Sequence, residues 1–191
     1  METKIPAAKK ITPMAYPEKS SKKISTKGNP MREIKIEKVV LNIGATGEDL
    51  TKAVKLLELL TGRKPCRTSS NRRIPSLNVR PGLEIGAVVT IRKDPAEFLK
   101  KMLIAVDNQL KKKQISVNNF SFGIHEYIEI PGIEYQRDIG IMGLDVTVVF
   151  KRSGRRVRLK KVKRGKVSKR QNISQREIIK FMEENFQTEF K

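Results

Sequence analysis

The chain has 191 residues, a formal net charge of +21 and a hydrophobic content of 38%. This length provides one domain with enough core to fold without disulfides, and the only cysteine, Cys66, excludes an internal one and indicates a reducing compartment. Since no apolar run approaches roughly 18 residues and residues 1–28 lack an apolar signal core, we expect neither a membrane span nor a secretory signal.

The positive charge is concentrated in two segments. Residues 1–28 contain seven Lys and two Glu, and residues 151–170 contain 12 basic and no acidic residues. Like charges this dense repel one another unless a polyanion neutralises them, so the composition favours a nucleic-acid partner. We expect a basic flexible arm at 1–28, either solvated or threaded through RNA. An α+β RNA-binding domain is expected at 29–150, and a basic hairpin or extension with a short C-terminal helix at 151–191.

The first predicted elements are a strand and a helix. The strand covers Ile34 to Ile43, and a bulge near Glu37 or Lys38 is predicted because the inward-facing parity changes there. Asp49 is predicted to cap the helix, whose apolar residues recur at helical spacing. Gly62 is predicted to end the helix in the left-handed conformation.

The central part of the chain predicts two further strands and a second helix. A strand from Cys66 to Ser70, with its cysteine buried or half-buried, precedes a long polar loop over residues 71–82. Alternation from Ile85 to Ile91 predicts the third strand. Asp94 begins a capping box with proline at the first helical position, and the helix behind it is predicted to end near residues 111–113.

The last predicted elements are two strands, a basic hairpin and a helix. The strands contain Phe120 to Ile124 and Leu144 to Phe150, and the hairpin is predicted from Arg155 to Val162. Ser174 and Glu177 form a second capping box. This order predicts an α+β fold: a largely antiparallel sheet with helices packed on one face, plus the basic arm and the basic extension.

Strand parity predicts that one sheet face is free of helices. Lys38 and Asn42 of the first strand, and Thr90 and Arg92 of the third, are predicted to point away from the core. A small, polar, mostly non-acidic face can follow an RNA backbone and bind its 2′-hydroxyl groups, although a solvated sheet face is the alternative. The phenylalanines of the strands fall on the inward side, so folded RNA is favoured over a single strand that stacks on exposed rings.

Basic residues flank this face in two places. The segment from residue 63 to residue 82 contains no acid, and arginine forks match phosphate geometry. Beside the sheet, phosphate contacts are predicted for Arg63, Lys64 and Arg67. In the basic extension they are predicted for Arg155, Arg156, Arg158, Lys160 and Lys161.

The residues of an active site are missing from the sequence. With His125 as the only histidine and one cysteine, the chain has no zinc-ligand set, no Ser-His-Asp triad and no Cys-His pair. We expect His125 at the surface, no catalytic residue, no metal and no cofactor, and therefore no enzyme. Gly44 and Gly47 at GxxG spacing are assigned to a tight strand-to-helix turn rather than to an RNA clamp.

Five motifs occur in unbroken order between residues 29 and 150. They are Glu37-Lys-Val-Val-Leu-Asn-Ile-Gly44, Leu60-Thr-Gly-Arg-Lys-Pro65, Ile85-Gly-Ala-Val-Val-Thr-Ile-Arg92, Phe120-Ser-Phe-Gly-Ile-His-Glu126 and Gly143-Leu-Asp-Val-Thr147. Together they resemble the family of large-subunit ribosomal protein five, which binds 5S ribosomal RNA. Asn29-Pro-Met-Arg32 and the basic extension resemble its archaeal and eukaryotic branch.

The resemblance implies a structural role in the central protuberance of a cytoplasmic ribosome, with 5S rRNA and large-subunit rRNA as partners. It also implies a loop that reaches peptidyl-site tRNA, and a contact with a small-subunit bridge protein among neighbouring ribosomal proteins. The family's 5S-contact positions match at Lys38, Asn42 and Thr90, whereas a family Gln is Arg63 here and a family Phe is Leu77. The implied tRNA loop is Ser70 to Gly82, with contacts expected at Arg72, Arg73, Pro75, Ser76, Leu77, Asn78 and Arg80.

Three other functions fit parts of the sequence. A basic architectural protein that coats DNA or RNA outside the ribosome fits the charge. An RNA-modifying enzyme fits poorly because the catalytic side chains are missing. A membrane-surface role would need large apolar anchors, and no membrane partner is expected because the basic extension has few of them.

Overall fold

The computed structural model describes residues 29–191 and contains one six-stranded sheet, three α-helices on its inward side and one helical turn in the basic extension. The elements are, in chain order, β1 (Ile34–Gly44), α1 (Glu48–Thr61), β2 (Cys66–Ser69), β3 (Glu84–Ile91), α2 (Pro95–Ile104), β4 (Gln109–Leu110), β5 (Ile115–Ser116), β6 (Asn119–Ile124), β7 (Leu144–Arg152), α3 (Arg156–Leu159), α4 (Gln175–Phe186) and β8 (Glu189–Phe190). The predicted arm at residues 1–28 lies outside the described residues.

The sheet has the strand order β2-β3-β1-β7-β6-β5, and all of its neighbouring strands are antiparallel. A separate pair joins β4 to β8 in parallel. The predicted α+β class and the largely antiparallel sheet are therefore confirmed. Three of its five strand pairs, β2–β3, β5–β6 and β6–β7, join strands that follow one another in the sequence, and only β5 and β6 are joined by a short turn.

A single apolar core lies between one face of the sheet and the helices. Alternate residues of β1, beginning at Val39, are buried, and so are alternate residues of β7 up to Phe150. The helices cover them with residues such as Leu57, Leu99 and Met182. Burial of this apolar surface is the main stabilising contribution. Within the part of the chain that the structure describes, the opposite face of the strands has no helical cover.

The predicted bulge in β1 is confirmed. Ile36 pairs with Phe150 and Lys38 pairs with Val149, so Glu37 is one residue extra in its strand. The extra residue changes which side chains face the core, from Ile36 before the bulge to Val39 after it. The bulge therefore directs Lys38 toward the helix-free face.

Gly62, in the left-handed conformation with a φ of 61°, donates its N–H to Glu58 and ends α1 as predicted. The predicted N-terminal cap of α1 is wrong, whereas α2 begins where predicted, with Asp94 at the N-cap and Pro95 at the first helical position, but without the predicted capping box. Gly47 caps α1, and Asp49 lies in its first turn, where it pairs with a lysine one turn on. Asp94 has a φ of 47°, in the left-handed region rather than in the extended conformation typical of an N-cap, and its side chain makes no capping bond.

The second helix is shorter than predicted. It ends at Ile104 rather than near residues 111–113, because Asp107 and Asn108 adopt positive φ values of 52° and 57° that no α-helix allows. The chain then enters β4, where Leu110 is buried, and pairs with β8 near the C-terminus.

The predicted basic hairpin over Arg155 to Val162 is wrong. Residues Arg156–Leu159 form the short helix α3 instead. Gly154, with a φ of 88°, turns the chain away after β7, so no partner strand lies opposite. The alternation of valine and leucine with basic residues therefore reflects solvent-exposed side chains, and Leu159 is 60% exposed.

The last helix begins as predicted. In the capping box, the Ser174 side chain accepts the backbone N–H of Glu177, and Glu177 accepts the N–H of Ser174. Between residues 29 and 191, the helices are too short or too polar to cross a membrane.

Candidate nucleic-acid interface

Polar side chains form rows across the helix-free face of the sheet. Asn42 pairs with Val88 of β3 on one side and with Asp145 of β7 on the other. The next row contains Thr90, with Val40 and Thr147 as its neighbours along the sheet. Directly paired residues share a face, so the predicted contact positions on separate strands lie side by side. We call these rows, together with Lys38, the sheet face.

The sheet face is accessible but not fully exposed. Lys38, Asn42 and Thr90 are half-buried, whereas their inward neighbours in β1, such as Leu41, are buried. Asp145 is exposed and adds one carboxylate beside Asn42. A carboxylate accepts hydrogen bonds from hydroxyl and amino groups and repels anions, so the sheet face combines a cation at Lys38 with an anion at Asp145.

Two predicted contact residues are joined by a hydrogen bond at the edge of the sheet face. Arg63 Nη1 donates to the backbone oxygen of Thr90 over 3.4 Å. The Arg67 guanidinium is 3.0 Å from Glu84 Oε2, and both side chains are about half exposed. Arg67 is therefore paired with a carboxylate rather than left free for phosphate. Lys64 and Arg92 are exposed and have no carboxylate within 4.0 Å among residues 29–191.

Cys66 was predicted to be buried or half-buried, and this is wrong. Its thiol is exposed. The reason is topological: β2 is an edge strand, and Cys66 pairs with Val88 on the sheet face rather than on the core side. His125 is exposed, as predicted.

The predicted tRNA loop has a defined internal structure. The backbones of Ile74 and Val79 exchange hydrogen bonds of 2.9 and 3.1 Å. At its base, the Ser70 hydroxyl donates to the backbone oxygen of Arg72 over 2.7 Å. Between these contacts the chain makes a tight turn at Pro75–Leu77. The loop therefore projects as a small hairpin whose outermost side chains are exposed, namely Arg72, Arg73, Pro75, Ser76, Leu77 and Asn78, with Arg80 on its return.

The basic extension is attached to the bulge of β1. Arg155 Nη1 donates to the backbone oxygen of Phe150 over 3.0 Å and lies 2.9 Å from Glu37 Oε2. Arg155 therefore holds the extension against the sheet, and its charge is compensated. By contrast, the remaining predicted contact residues of the extension are exposed, and they are Arg156, Arg158, Lys160 and Lys161.

An ion pair of Arg152 and Glu177, which no local sequence pattern indicates, joins β7 to α4. Arg152 is buried at the end of β7, where it donates from Nη2 to Glu177 Oε1 over 2.6 Å and from Nη1 to the backbone oxygen of Arg170 over 3.0 Å. Partial burial by itself raises the pKa of Glu177. The hydrogen bonds from Ser174 and the charge of Arg152 outweigh this effect, so the pKa is lowered overall.

Metal-binding geometry is lacking in the part of the chain that the structure describes: three or more His, Cys, Asp or Glu side chains do not come together there. What the structure does bring together is a polar sheet face, an arginine-rich hairpin loop and a basic extension. Proteins that bind folded RNA use positive side chains to contact phosphates and polar side chains to contact 2′-hydroxyl groups.

Comparison with known proteins covers most of the chain. The family model "Ribosomal protein L5" matches residues 29–80, and the model of the C-terminus of the same ribosomal family matches residues 84–184. Two similar relatives are named large ribosomal subunit protein uL5. That of Nanoarchaeum equitans is 46% identical over 160 residues, covering 82% of this chain and 95% of the relative. That of Picrophilus torridus is 45% identical over 168 residues, covering 85% and 96%. The chain therefore belongs to the ribosomal protein L5 family, the uL5 proteins of the large ribosomal subunit.

Proposed function

We propose that the chain is a structural constituent of the large ribosomal subunit that binds 5S rRNA through the sheet face. The observation that supports this most directly is the arrangement of Lys38, Asn42 and Thr90. They lie on the sheet face, which no helix of residues 29–191 covers, and they occupy the positions at which the family resemblance implies 5S contacts. In this proposal the Asn42 amide bonds to sugar or base groups, and Lys38 contacts phosphate.

The residues around the sheet face add phosphate contacts in this proposal. Arg63 approaches the RNA beside Thr90, while Lys64 and Arg92 bind phosphates at the same edge. The exposed residues of the basic extension add a long-range, salt-dependent contribution. Arg67 and Arg155 position neighbouring segments, since each is paired with a glutamate.

Further partners belong to the same proposal. The hairpin loop from Ser70 to Gly82 contacts peptidyl-site tRNA, and other surfaces contact large-subunit rRNA and a small-subunit bridge protein. These partners follow from the family resemblance, and the exposure of the loop tip supports the first of them, with Leu77 69% exposed. The chain then works in the cytoplasm as part of the ribosome and catalyses no reaction.

The experiment compares 5S rRNA binding by Asn42→Ala and by a matched control, Asn185→Ala, whose side chain lies on α4 away from the sheet face. Losing one hydrogen bond of about 1 kcal/mol lowers the affinity about fivefold for Asn42→Ala, while the slope of affinity against salt stays the same. Equal affinities of both variants would contradict the proposal.

A competition assay separates this function from that of an architectural DNA-binding protein. The full chain is bound to labelled 5S rRNA and challenged with equal amounts of unlabelled 5S rRNA or duplex DNA. The proposal predicts that 5S rRNA displaces the label at a much lower concentration, since the sheet face binds 2′-hydroxyl groups that DNA lacks. Displacement by both at the same concentration favours the architectural alternative.

A further inference from the structure

A basic cleft lies between the end of β7 and the chain that returns toward α4. It has a volume of about 570 Å³ and is lined by seven Lys and Arg side chains and by no Asp or Glu. Three amide side chains, those of Asn118, Gln171 and Asn172, complete its polar lining. Pockets of about 300–1,000 Å³ are of the size that encloses one small ligand.

The wall of the cleft is held in place by contacts within the basic extension. Arg164 Nε donates to the backbone oxygen of Arg158 over 2.7 Å, and the N–H of Gly165 donates to the backbone oxygen of Val157 over 3.2 Å. A Cβ at Gly165 would lie 2.7 Å from Val157 Cγ1, so the chain at Gly165 packs closely against the Val157 side chain. These contacts join the two sides of the turn that forms one wall of the cleft.

Most of the positive charge in the cleft is uncompensated. Arg152 and Arg155 are paired with Glu177 and Glu37. The other five cations have no carboxylate within 4.0 Å among residues 29–191, and they include Arg158, Arg164 and Lys166. Like charges gathered in a concave site attract an anion strongly, because their field is focused there.

The amides of the cleft suit a nucleobase. Both polar atoms of the Asn118 side chain make hydrogen bonds within the chain: Oδ1 accepts the N–H of Ile173 over 2.7 Å, and Nδ2 donates to Asn172 Oδ1 over 3.4 Å. The amide of Gln171 and the Nδ2 group of Asn172 make no such bond within the described chain. Free amide donors and acceptors bind base edges, and arginine planes stack on bases.

We propose that this cleft binds one unpaired nucleotide of the bound RNA, with the phosphate held by Arg158, Arg164 and Lys166 and the base directed toward Gln171 and Asn172. The proposal rests on the RNA-binding function proposed above, but it uses a different surface from the sheet face. A duplex is too wide to enter a cleft of this size, so the ligand is a nucleotide that has left a helix or lies in a loop.

The test uses the full chain and three probes: a fluorescent uridine trinucleotide, inorganic phosphate and an RNA duplex. The cleft variant Arg158→Ala/Lys166→Ala is compared with Arg156→Ala/Lys161→Ala, which removes the same charges from the neighbouring groove. We expect the trinucleotide to bind the cleft variant at least about tenfold more weakly than wild type, and the control variant less than about threefold more weakly. Only the cleft variant loses direct contacts with the trinucleotide, whereas the control loses long-range attraction alone. Equal weakening in both variants would overturn the proposal, and so would trinucleotide binding no tighter than that of inorganic phosphate.

Two additions keep the test decisive. If the cleft variant unfolds at a lower urea concentration than wild type, Lys166→Ala alone is used. Within residues 29–191 the Lys166 side chain makes no hydrogen bond, so its removal is not expected to disturb the turn. Asn42→Ala is expected to leave trinucleotide binding unchanged. Loss of 5S rRNA binding alone therefore reports on the sheet face, and loss of trinucleotide binding alone reports on the cleft.

Discussion

Arg152 and Glu177, 25 residues apart, form an ion pair with an Nη2–Oε1 distance of 2.6 Å that joins the end of β7 to the first turn of α4. Glu177 also accepts two hydrogen bonds from Ser174, so one carboxylate both caps the helix and compensates a buried charge. The basic extension leaves the fold after Arg152 and returns just before Ser174. This contact therefore fixes both ends of a segment that contains ten Lys and Arg residues and no acidic residue.

Replacing Glu177 is expected to destabilise the fold. Glu177→Ala leaves Arg152 buried without its anion and removes the helix cap, for a combined cost of about 2 kcal/mol in the free energy of unfolding. Urea unfolding of wild type and Glu177→Ala at pH 7 measures this difference in the free energy of unfolding. Glu184→Ala, a change at an exposed position of the same helix, is the control and is expected to change the stability by less than about 0.5 kcal/mol.

The same carboxylate predicts a pH dependence. Because the pKa of Glu177 is lower in the folded chain than the ordinary value of 4.5, its stabilising contribution is complete above that value and is lost as pH falls through the folded pKa. Unfolding of wild type and Glu177→Gln should therefore differ more at pH 7 than at pH 3. A stability difference that stays constant or grows toward low pH would contradict this assignment.

Two glycines of the sheet are expected to respond differently to alanine. A Cβ at Gly86 would lie 2.8 Å from the backbone oxygen of Ile43 and 3.2 Å from Thr68 Oγ1, so β3 must shift. We expect Gly86→Ala to cost about 2 kcal/mol in urea unfolding. At Gly123 the nearest atom is Asp145 Oδ1 at 3.5 Å, and Gly123→Ala should cost less than about 0.5 kcal/mol. Equal costs would mean that the strands are not packed as described.

The basic extension is expected to control the salt dependence of RNA binding. Deleting it would disturb the junction between Arg152 and Glu177 at its two ends, so point substitutions are the better test. Replacing Arg156, Arg158, Lys160 and Lys161 together by alanine should make the slope of log affinity against log salt less steep. The expected change in its magnitude is about 3 to 4 units if each side chain contacts a phosphate. The control removes four exposed helix lysines, Lys55, Lys100, Lys101 and Lys180, and should leave the slope nearly unchanged.

Local patterns predicted much of the fold because their causes lie within a few residues. The bulge at Glu37, the end of α1 at Gly62 and the Ser174 capping box are set by parity, a left-handed turn and neighbouring hydrogen bonds. The hairpin prediction failed because alternation of side chains does not supply a partner strand. Cys66 was misplaced because its exposure depends on which strand forms the edge of the sheet.

In the candidate site, too, features set by local patterns were predictable, and contacts between distant parts of the chain were not. Parity placed Asn42 and Thr90 on one face because side chains alternate along any strand. The pairing of Arg155 with Glu37 and of Arg152 with Glu177 joins residues far apart in sequence, and no local pattern predicts such contacts. The basic cleft likewise forms only when Asn118 meets the extension in the folded chain.

The most direct test of the sheet face measures the reactivity of a thiol at its centre. In a Cys66→Ser background, Asn42→Cys is alkylated with N-ethylmaleimide in the free chain and in its complex with 5S rRNA, and Asn185→Cys on α4 is the control. RNA lying on the sheet face should slow alkylation at position 42 at least about tenfold and leave position 185 unchanged. An unchanged rate at position 42 in a saturated complex would contradict the account.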